Sequence, residues 1–174
     1  MARWHWAAAV AVLLGAAGAS ASAEDVFHPS ELAKALVDAK VKLNEAIGAA
    51  AAQGLPIAAR YEIDDSDRLH ITVRTAAGPN SEPVYVDVLV DPETADVLGI
   101  AAVTDPRERE KSSAMRLALA EARISLADSA KRAAEENPGL IVVAVEAVRA
   151  DQSPVAEVQL MKGKQVSKTT VPLN

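Results

Sequence analysis

The sequence predicts an α+β protein made of two tandem units, each with a helix followed by a three-stranded antiparallel sheet (αβββ-αβββ). Two observations predict it. The spacing of apolar residues changes from a helical period to a strand period, and it does so twice along the chain. The order of these segments also repeats, which is typical of a tandem duplication.

The N-terminus predicts a cleavable signal peptide over residues 1–23. Arg3 supplies a positive charge, an apolar run follows, and the small residues 21–23 suit a cleavage site. The run is shorter than the roughly 20 apolar residues that span a bilayer, so we expect no stable membrane anchor after cleavage. Trp4 and Trp6 lie in this segment, and the exported protein is therefore expected to contain no tryptophan.

Composition argues against several classes of protein. Cleavage removes one basic residue and no acidic one, so the charge becomes 17 minus 24, or −7. Phosphate backbones repel such a chain, so we expect no nucleic-acid partner. The chain has no cysteine, which excludes thiol chemistry, disulfides and the lipid-acceptor residue of a lipoprotein. We expect a periplasmic or secreted protein that is not a lipoprotein.

The first unit is predicted over residues 24–104. Apolar residues recur at steps of three and four, which predicts one helix from Ser30, as N-cap, to about Gln53, with Gly54 ending it. Alternating apolar residues then predict three strands at residues 57–63, 69–73 and 84–90. A polar turn at 64–67 separates the first two strands, and a loop from Ala76 to Pro83 separates the last two. A turn at 91–94 follows, and the short apolar segment 97–100 is assigned to no strand.

The second unit is predicted over residues 105–174. The charged stretch 105–111, with Pro106 in the first helical turn, begins a helix that runs to Asn137. Three further strands are predicted at residues 140–148, 155–160 and 166–171. Residues 39–43 and 122–126 match at an offset of 83, and we expect both segments to lie within the two helices.

At these residues the chain resembles the PepSY family, small exported α+β modules found singly and in tandem. Residues 39–47 are similar to the family's helix opening, and residues 85–98 to its Tyr-x-Val…Val-Asp-x-x-Thr-Gly-x-Val ending. Ala95 stands where the family has glycine, the residue that adopts positive φ without strain. The second unit keeps the opening at 122–128 but not the ending, so we expect a degenerate copy or, as the alternative, a related module ended by the C-terminus.

The resemblance implies a non-enzymatic role, because similar modules occur in the propeptides of thermolysin-like metallopeptidases. It implies an interaction module that inhibits or regulates a protein partner such as a peptidase. The expected contact is an exposed sheet edge or the loop Ala76–Pro83. The alternative is a periplasmic module that binds or senses a small ligand between its two units.

No group of residues predicts catalysis, a cofactor or a metal. The exported part has two histidines, His28 and His70, whereas a zinc site needs three or four converging ligands. Asp64, Asp65 and Asp67 lack the glycine and the glutamate of an EF-hand loop, so a solvated turn is expected. We therefore expect no catalytic, cofactor-binding or metal-binding residue, and not an enzyme.

Other notable residues have structural explanations. Asp91 and Thr94 are expected to accept hydrogen bonds from turn amides, and Tyr85 to pack on the helix with its hydroxyl towards water. The charged run 107–111 suits a solvated helix start, with partner docking as the alternative. The alanines at 49–52 favour tight packing on the sheet over membrane anchoring.

Overall fold

A computed structural model of the protein describes residues 29–79 and 81–174. The predicted signal peptide, residues 1–23, lies outside the described residues, as do residues 24–28 with His28. The described part contains four α-helices and seven strands.

The helices and strands follow the order αα-ββββ-αα-βββ. The first half comprises α1 (Pro29–Ala35), α2 (Leu43–Ala50), β1 (Leu55–Ile63), β2 (Leu69–Ala77), β3 (Val84–Val90) and β4 (Val97–Ala102). A 3-10 turn, Ala51–Gln53, continues α2. The second half comprises α3 (Pro106–Ala120), α4 (Leu126–Glu136), β5 (Ile141–Ala150), β6 (Ser153–Lys162) and β7 (Gln165–Pro172).

All seven strands belong to one antiparallel sheet in the order β4-β3-β2-β1-β5-β6-β7. The α+β class is thereby confirmed. The halves share this sheet because β1 pairs with β5, where Ala59 lies opposite Val145. This pairing gives the first strand of each half a second neighbour. In the part of the chain that the structure describes, the unpaired edges of the sheet are therefore those of β4 and β7.

The segment after the turn at 91–94 corrects the prediction for the first half, because it forms a fourth strand. β4 pairs with β3 from Val97, which lies opposite Val90, to Ala102, which lies opposite Val86. Leu98 is the one residue of β4 that has no partner residue in β3. The segment was hard to recognise because glycine and alanine, which favour strands poorly, make up half of it. Pairing with the apolar β3 outweighs that low propensity.

Two helices, α2 and α4, pack side by side on one face of the sheet. Val73 and Val145 are buried on this face, together with Tyr61 of β1. The Tyr61 hydroxyl donates a hydrogen bond to the carbonyl oxygen of Val41, just before α2 begins. Small residues such as Ala46 and Ala130, both buried, let the two helices approach closely. Of the alanines at 49–52, which were expected to pack on the sheet, Ala50 is buried, whereas Ala51 and Ala52 are exposed.

The third helix, α3, lies on the opposite face. Arg74 comes directly after Val73 in β2, and Glu146 comes directly after Val145 in β5. Because successive residues of a strand face opposite sides of the sheet, Arg74 and Glu146 lie on the face opposite α2 and α4. They form ion pairs with Glu108 and Lys111 of α3. The sheet is thus covered on both sides.

The single helix predicted from Ser30 to Gln53 is wrong, because the chain leaves the helix between α1 and α2. The backbone N–H groups of Lys40 and Val41 both donate to the carbonyl oxygen of Pro92 at 2.9 Å. This contact ties the break to the turn after β3. Ser30 lies inside α1 and does not cap it.

The helix predicted from residue 105 to Asn137 is broken in the same way. The N–H groups of Arg123 and Ile124 donate to the carbonyl oxygen of Leu173 at 2.6 and 3.1 Å. The matching segments 39–43 and 122–126 therefore lie mainly in the two breaks. Each break is held by the chain that leaves the third strand of its own half.

The helix ends follow local chemistry. The Asp105 carboxylate accepts hydrogen bonds from the first N–H groups of α3, and Pro106 occupies the first turn, as the sequence predicted. Ser125 caps α4 by accepting from the N–H of Asp128 at 3.1 Å. Gly54, at φ 144°, ends the 3-10 turn that continues α2. A Cβ at this residue would lie 2.6 Å from the Ala76 carbonyl oxygen. Only glycine fits at this position.

Candidate interaction surface

The outer strand β4 exposes an apolar and uncharged edge. Its residues are exposed at every position except Gly99, which is half-buried. Leu98 is 60% exposed and Ile100 is 51% exposed. Folded proteins usually protect such edges with charged residues, proline or a covering element, because an open strand can pair with another chain.

The ladder between β3 and β4 determines which backbone groups remain free. The N–H of Val103 donates to the Tyr85 carbonyl oxygen at 3.0 Å, which directs residue 103 towards β3. Hydrogen-bonding direction alternates along an antiparallel strand, so Ala101 and Gly99 also point towards β3. The N–H and C=O groups of Ile100 and Ala102 therefore point away from the sheet.

The opposite edge, β7, is protected. Lys168 on β7 forms an ion pair with Glu157 of β6 at 2.6 Å, and Gln165 and Thr170 add polar side chains. Pro172, which has no N–H, ends the strand. The two edges of one sheet thus differ in chemistry, and β4 is the one suited to pairing with another chain.

The turn before β4 is built as the sequence predicted. The Asp91 side chain accepts hydrogen bonds from the N–H groups of Glu93 and Thr94 at 2.7 and 3.0 Å. The Thr94 hydroxyl accepts from the Asp96 N–H at 3.3 Å. Ala95 adopts φ 66°, a left-handed conformation that favours glycine. This turn fixes where β4 begins.

The loop predicted from Ala76 to Pro83 is shorter than expected, because β2 continues to Ala77. It joins β2 to β3 beside Val84, which is 54% exposed. The β4 end at Ala102 pairs with Val86, two residues further along β3. The loop therefore lies next to the free edge of β4.

Two apolar clefts lie between the halves of the chain. One, of about 260 Å³, is lined by residues 36 and 39–44 together with α4 and the start of β5. The other, of about 360 Å³, is lined by residues 119 and 122–127 together with α2 and the start of β1. These two sets of seven positions correspond one to one at the offset of 83.

The charged start of α3 is not simply solvated. Arg74 binds the Asp87 carboxylate through two hydrogen bonds of 2.8 and 3.0 Å and also contacts Glu108. The pKa of Glu108 is lowered by its hydrogen bond from Arg74. Lys111 reaches Glu146 at 3.0 Å. The prediction for residues 107–111 is therefore corrected at Glu108 and Lys111, which attach α3 to the sheet, while Arg107, Arg109 and Glu110 are exposed.

His70 lies beside Glu62 on the face that α3 covers. The two side chains are 16% and 24% exposed, and His70 Nε2 lies 3.5 Å from a Glu62 carboxylate oxygen. Burial acts to raise the pKa of Glu62, but hydrogen bonds from His70 and neighbouring groups outweigh it and lower that pKa to about 2. The hydrogen bond to Glu62 raises the pKa of His70. This pair stabilises the fold, and within residues 29–79 and 81–174 no third side chain joins it as a possible metal ligand.

Two tyrosines differ in the state of their hydroxyls. Tyr85 was expected to direct its hydroxyl towards water, but the residue is 4% exposed and its hydroxyl oxygen has no hydrogen-bond partner among the described residues. Tyr85 lies opposite Ala76, which is itself buried, in the pairing of β2 with β3. Burial and the nearby Glu45 raise the pKa of Tyr61 to about 12.

The turn at 64–67 forms as predicted. The Asp64 carboxylate accepts hydrogen bonds from the N–H groups of Ser66 and Arg68 at 2.8 and 3.0 Å. Residues 29–79 and 81–174 contain no group of three or more histidine or carboxylate side chains placed to hold a metal ion. In the same part of the chain, no helix is long and apolar enough to cross a membrane.

Comparison with known proteins gives little similarity. No protein-family model matches the sequence, and no curated protein matches it. One solved structure, that of a protein from Clostridium difficile 630 provisionally assigned as a lipoprotein, is similar at 16% sequence identity. The match covers 71% of this chain and 78% of that one, with a TM-score of 0.40. Similarity at this level transfers neither fold nor function.

Proposed function

We propose that the chain is an exported, non-enzymatic protein of two tandem PepSY-like units, residues 24–104 and 105–174, the second being a degenerate copy. The support is the correspondence at an offset of 83 residues. Equivalent N–H groups in the two helix breaks donate to a carbonyl oxygen just after the third strand of their own half, at Pro92 and Leu173. Both clefts use equivalent positions as well.

The function that follows is binding to another polypeptide, and the resemblance suggests a peptidase that the protein inhibits or regulates. The observation that carries this proposal is the free edge of β4, with Ile100 and Leu98 exposed on an uncharged strand. An extended segment of the partner adds as an eighth strand. Backbone hydrogen bonds supply affinity, and the alternate side chains supply specificity.

Occlusion is the mechanism that fits this edge. The substrate cleft of a peptidase commonly holds its peptide in an extended conformation, and a rigid strand that pairs there excludes the substrate. Val84, at the start of β3 and 54% exposed, extends the same surface. Because the strand is held in a seven-stranded sheet, little conformational entropy is lost when it binds.

An inhibition assay tests the proposal. The chain from residue 24 onwards is titrated into a thermolysin-like metallopeptidase, and cleavage of a peptide substrate is followed. We expect inhibition at micromolar concentrations. If neither this enzyme nor any peptidase co-purified from periplasm is slowed, the proposed function is wrong.

A matched pair of variants identifies the contact. Ile100→Lys places a charge on the free edge of β4, and Val166→Lys places the same charge on the exposed edge of β7, where Val166 is 38% exposed. We expect the first variant to lose inhibition at least tenfold and the second to keep it. Equal behaviour of the two variants contradicts a contact through β4.

The twin clefts favour a second candidate function, the binding of a small ligand between the units. They are apolar, equivalent and of a size suited to small molecules. A ligand that binds only the folded protein raises its melting temperature. A screen of peptides, glycans and metal ions that shifts the melting temperature supports this function, and a flat screen contradicts it.

Filling the clefts one at a time sharpens this test. Ala51 and Ala134 occupy equivalent positions in the two clefts. Ala51→Phe and Ala134→Phe should each remove one binding site, so a titration should show half the stoichiometry for either variant. Unchanged stoichiometry in both variants places the ligand elsewhere.

Export itself is tested by fluorescence. If the signal peptide is removed after residue 23, the periplasmic protein has lost Trp4 and Trp6 and shows tyrosine emission only. Tryptophan emission from the purified periplasmic protein contradicts cleavage at that position.

A further inference from the structure

The free edge of β4 is suited to pairing with one specific strand. We propose that two copies of this chain associate through antiparallel pairing of β4 with β4, which joins their sheets into one of fourteen strands. The inference depends on the geometry of β4 and not on the proposed inhibition of peptidases. Its first support is that Ile100 and Ala102 direct their N–H and C=O groups to solvent.

The register follows from which residues point outwards. Beyond the unpaired Leu98, β4 is regular from Gly99 onwards, and Val103 continues the ladder through its bond to Tyr85. A two-fold axis at the centre of this stretch, at Ala101, places Ile100 of each copy opposite Ala102 of the other. Both residues of that pair point outwards, so the two symmetric pairs form four backbone hydrogen bonds.

The side chains are complementary in this register. Ile100 meets Ala102, Gly99 meets Val103, and Ala101 meets itself, so each large residue lies opposite a small one. Cross-strand pairs of this kind pack without steric conflict. β4 itself contains no carboxylate, so no two carboxylates face each other between the paired strands.

Charge and exposure favour β4 over the other edge. β4 has no charged residue, and the faces of Leu98 and Ile100 are open to solvent. β7 carries Lys168, and pairing of β7 with β7 of a second copy would bring the two Lys168 side chains close together. The protein therefore self-associates through one edge only, which gives closed dimers and not fibres.

The dimer is expected to be weak, because a strand of this length buries less than the roughly 1,000 Å² typical of a stable interface. It occupies the same backbone groups as a peptide partner would, so dimer and partner compete. Concentration then regulates how much of the protein has a free edge.

Cysteine cross-linking tests the register directly, since the natural chain has no cysteine. Ala101→Cys brings two thiols together at the symmetry axis, in a pair without backbone hydrogen bonds, where Cα atoms lie about 4.5 Å apart. That spacing suits a disulfide. The control, Ala102→Cys, is also exposed but faces Ile100 of the other copy.

Under mild oxidation we expect Ala101→Cys to form a disulfide-linked dimer at least tenfold faster than Ala102→Cys. Equal rates mean random collision and overturn the proposal. Sedimentation of the cysteine-free protein, from about 10 μM to about 1 mM, should show reversible dimers. A protein that stays monomeric throughout overturns the proposal, whether or not the chain inhibits a peptidase.

The matched charge variants complete the test. Ile100→Lys places two like charges beside the pairing strands and should keep the protein monomeric, while Val166→Lys on β7 should dimerise as the natural chain does. Both side chains are already exposed, so neither change is expected to disturb the core. Dimers that persist in Ile100→Lys contradict pairing through β4.

Discussion

The hydroxyl of Tyr61 on β1 donates a hydrogen bond to the carbonyl oxygen of Val41 in the break between α1 and α2. This bond joins the sheet to the segment where the chain leaves the helix. Tyr61 is 5% exposed, so water cannot easily replace it. The adjacent N–H of Val41 is bound to Pro92, which means that the break is held from two directions.

Replacing Tyr61 by phenylalanine should therefore destabilise the protein. The change leaves the Val41 carbonyl without its partner, which costs about 1–2 kcal/mol of unfolding free energy. Urea denaturation followed by circular dichroism measures it. The control is Tyr85→Phe, whose buried hydroxyl has no partner among the described residues. Removing that hydroxyl should leave stability unchanged or raise it by up to about 1 kcal/mol, and equal losses in both variants contradict this account.

The turn before β4 contains a correctable strain. Ala95 adopts φ 66°, which L-residues other than asparagine and aspartate rarely do. Ala95→Gly should relieve it and raise the free energy of unfolding by about 1 kcal/mol. The opposite sign is expected at Ala114, an exposed residue within α3, where glycine lowers helix stability by about 1 kcal/mol. Thermal denaturation of the two variants compares them.

Stability should fall towards both ends of the pH range because of Glu62 and His70. Folding lowers the pKa of Glu62 from 4.5 to about 2, so its contribution is present above pH 4.5 and is lost as pH falls towards 2. Folding raises the pKa of His70 above 6.5, so its contribution is present below pH 6.5 and is lost as pH rises through the raised value.

Denaturation midpoints measured across pH check both limbs. In Glu62→Gln the acid limb should shrink by up to about 3 kcal/mol, taking about 1.4 kcal/mol for each unit of pKa shift. His70→Gln should flatten the fall above pH 6.5 and leave part of the acid limb. A natural protein whose stability does not change from pH 5 to pH 2 contradicts the role of Glu62.

The sequence was sufficient where the causes are local. Alternating apolar residues predicted most strands, and Asp91 and Thr94 bind their turn amides as their residue types suggest. The helix breaks could not be predicted in this way. Lys40 and Val41 continue the helical pattern, and only their bonds to Pro92, about fifty residues away in the sequence, take them out of it.

The candidate interaction surface was predictable only in kind. An exposed edge was expected, but β4 itself was missed because its glycine and alanines look like a loop. Its importance depends on the strand order, which leaves β4 outermost while β1 and β5 join the halves. The residues of a strand do not show which distant strand it pairs with, so the strand order could not be predicted from them.

The attachment of α3 to the sheet gives the last prediction. Glu108 lies on α3, and its partner Arg74 is 12% exposed on the sheet and already holds Asp87. Glu108→Gln removes the charge from this contact and leaves the Arg74–Asp87 pair in place. We expect a loss of about 1 kcal/mol and faster hydrogen exchange in the first turns of α3.

Glu110→Gln is the matched control, because Glu110 lies on the same helix, is exposed and should not affect exchange. The localisation of the effect is informative. If Glu108 acts only through general charge, both variants should change exchange equally, since each removes one negative charge from the same turn of helix. A change confined to Glu108→Gln, and strongest at the N-terminal turns, shows that the ion pair with Arg74 holds α3 on the sheet.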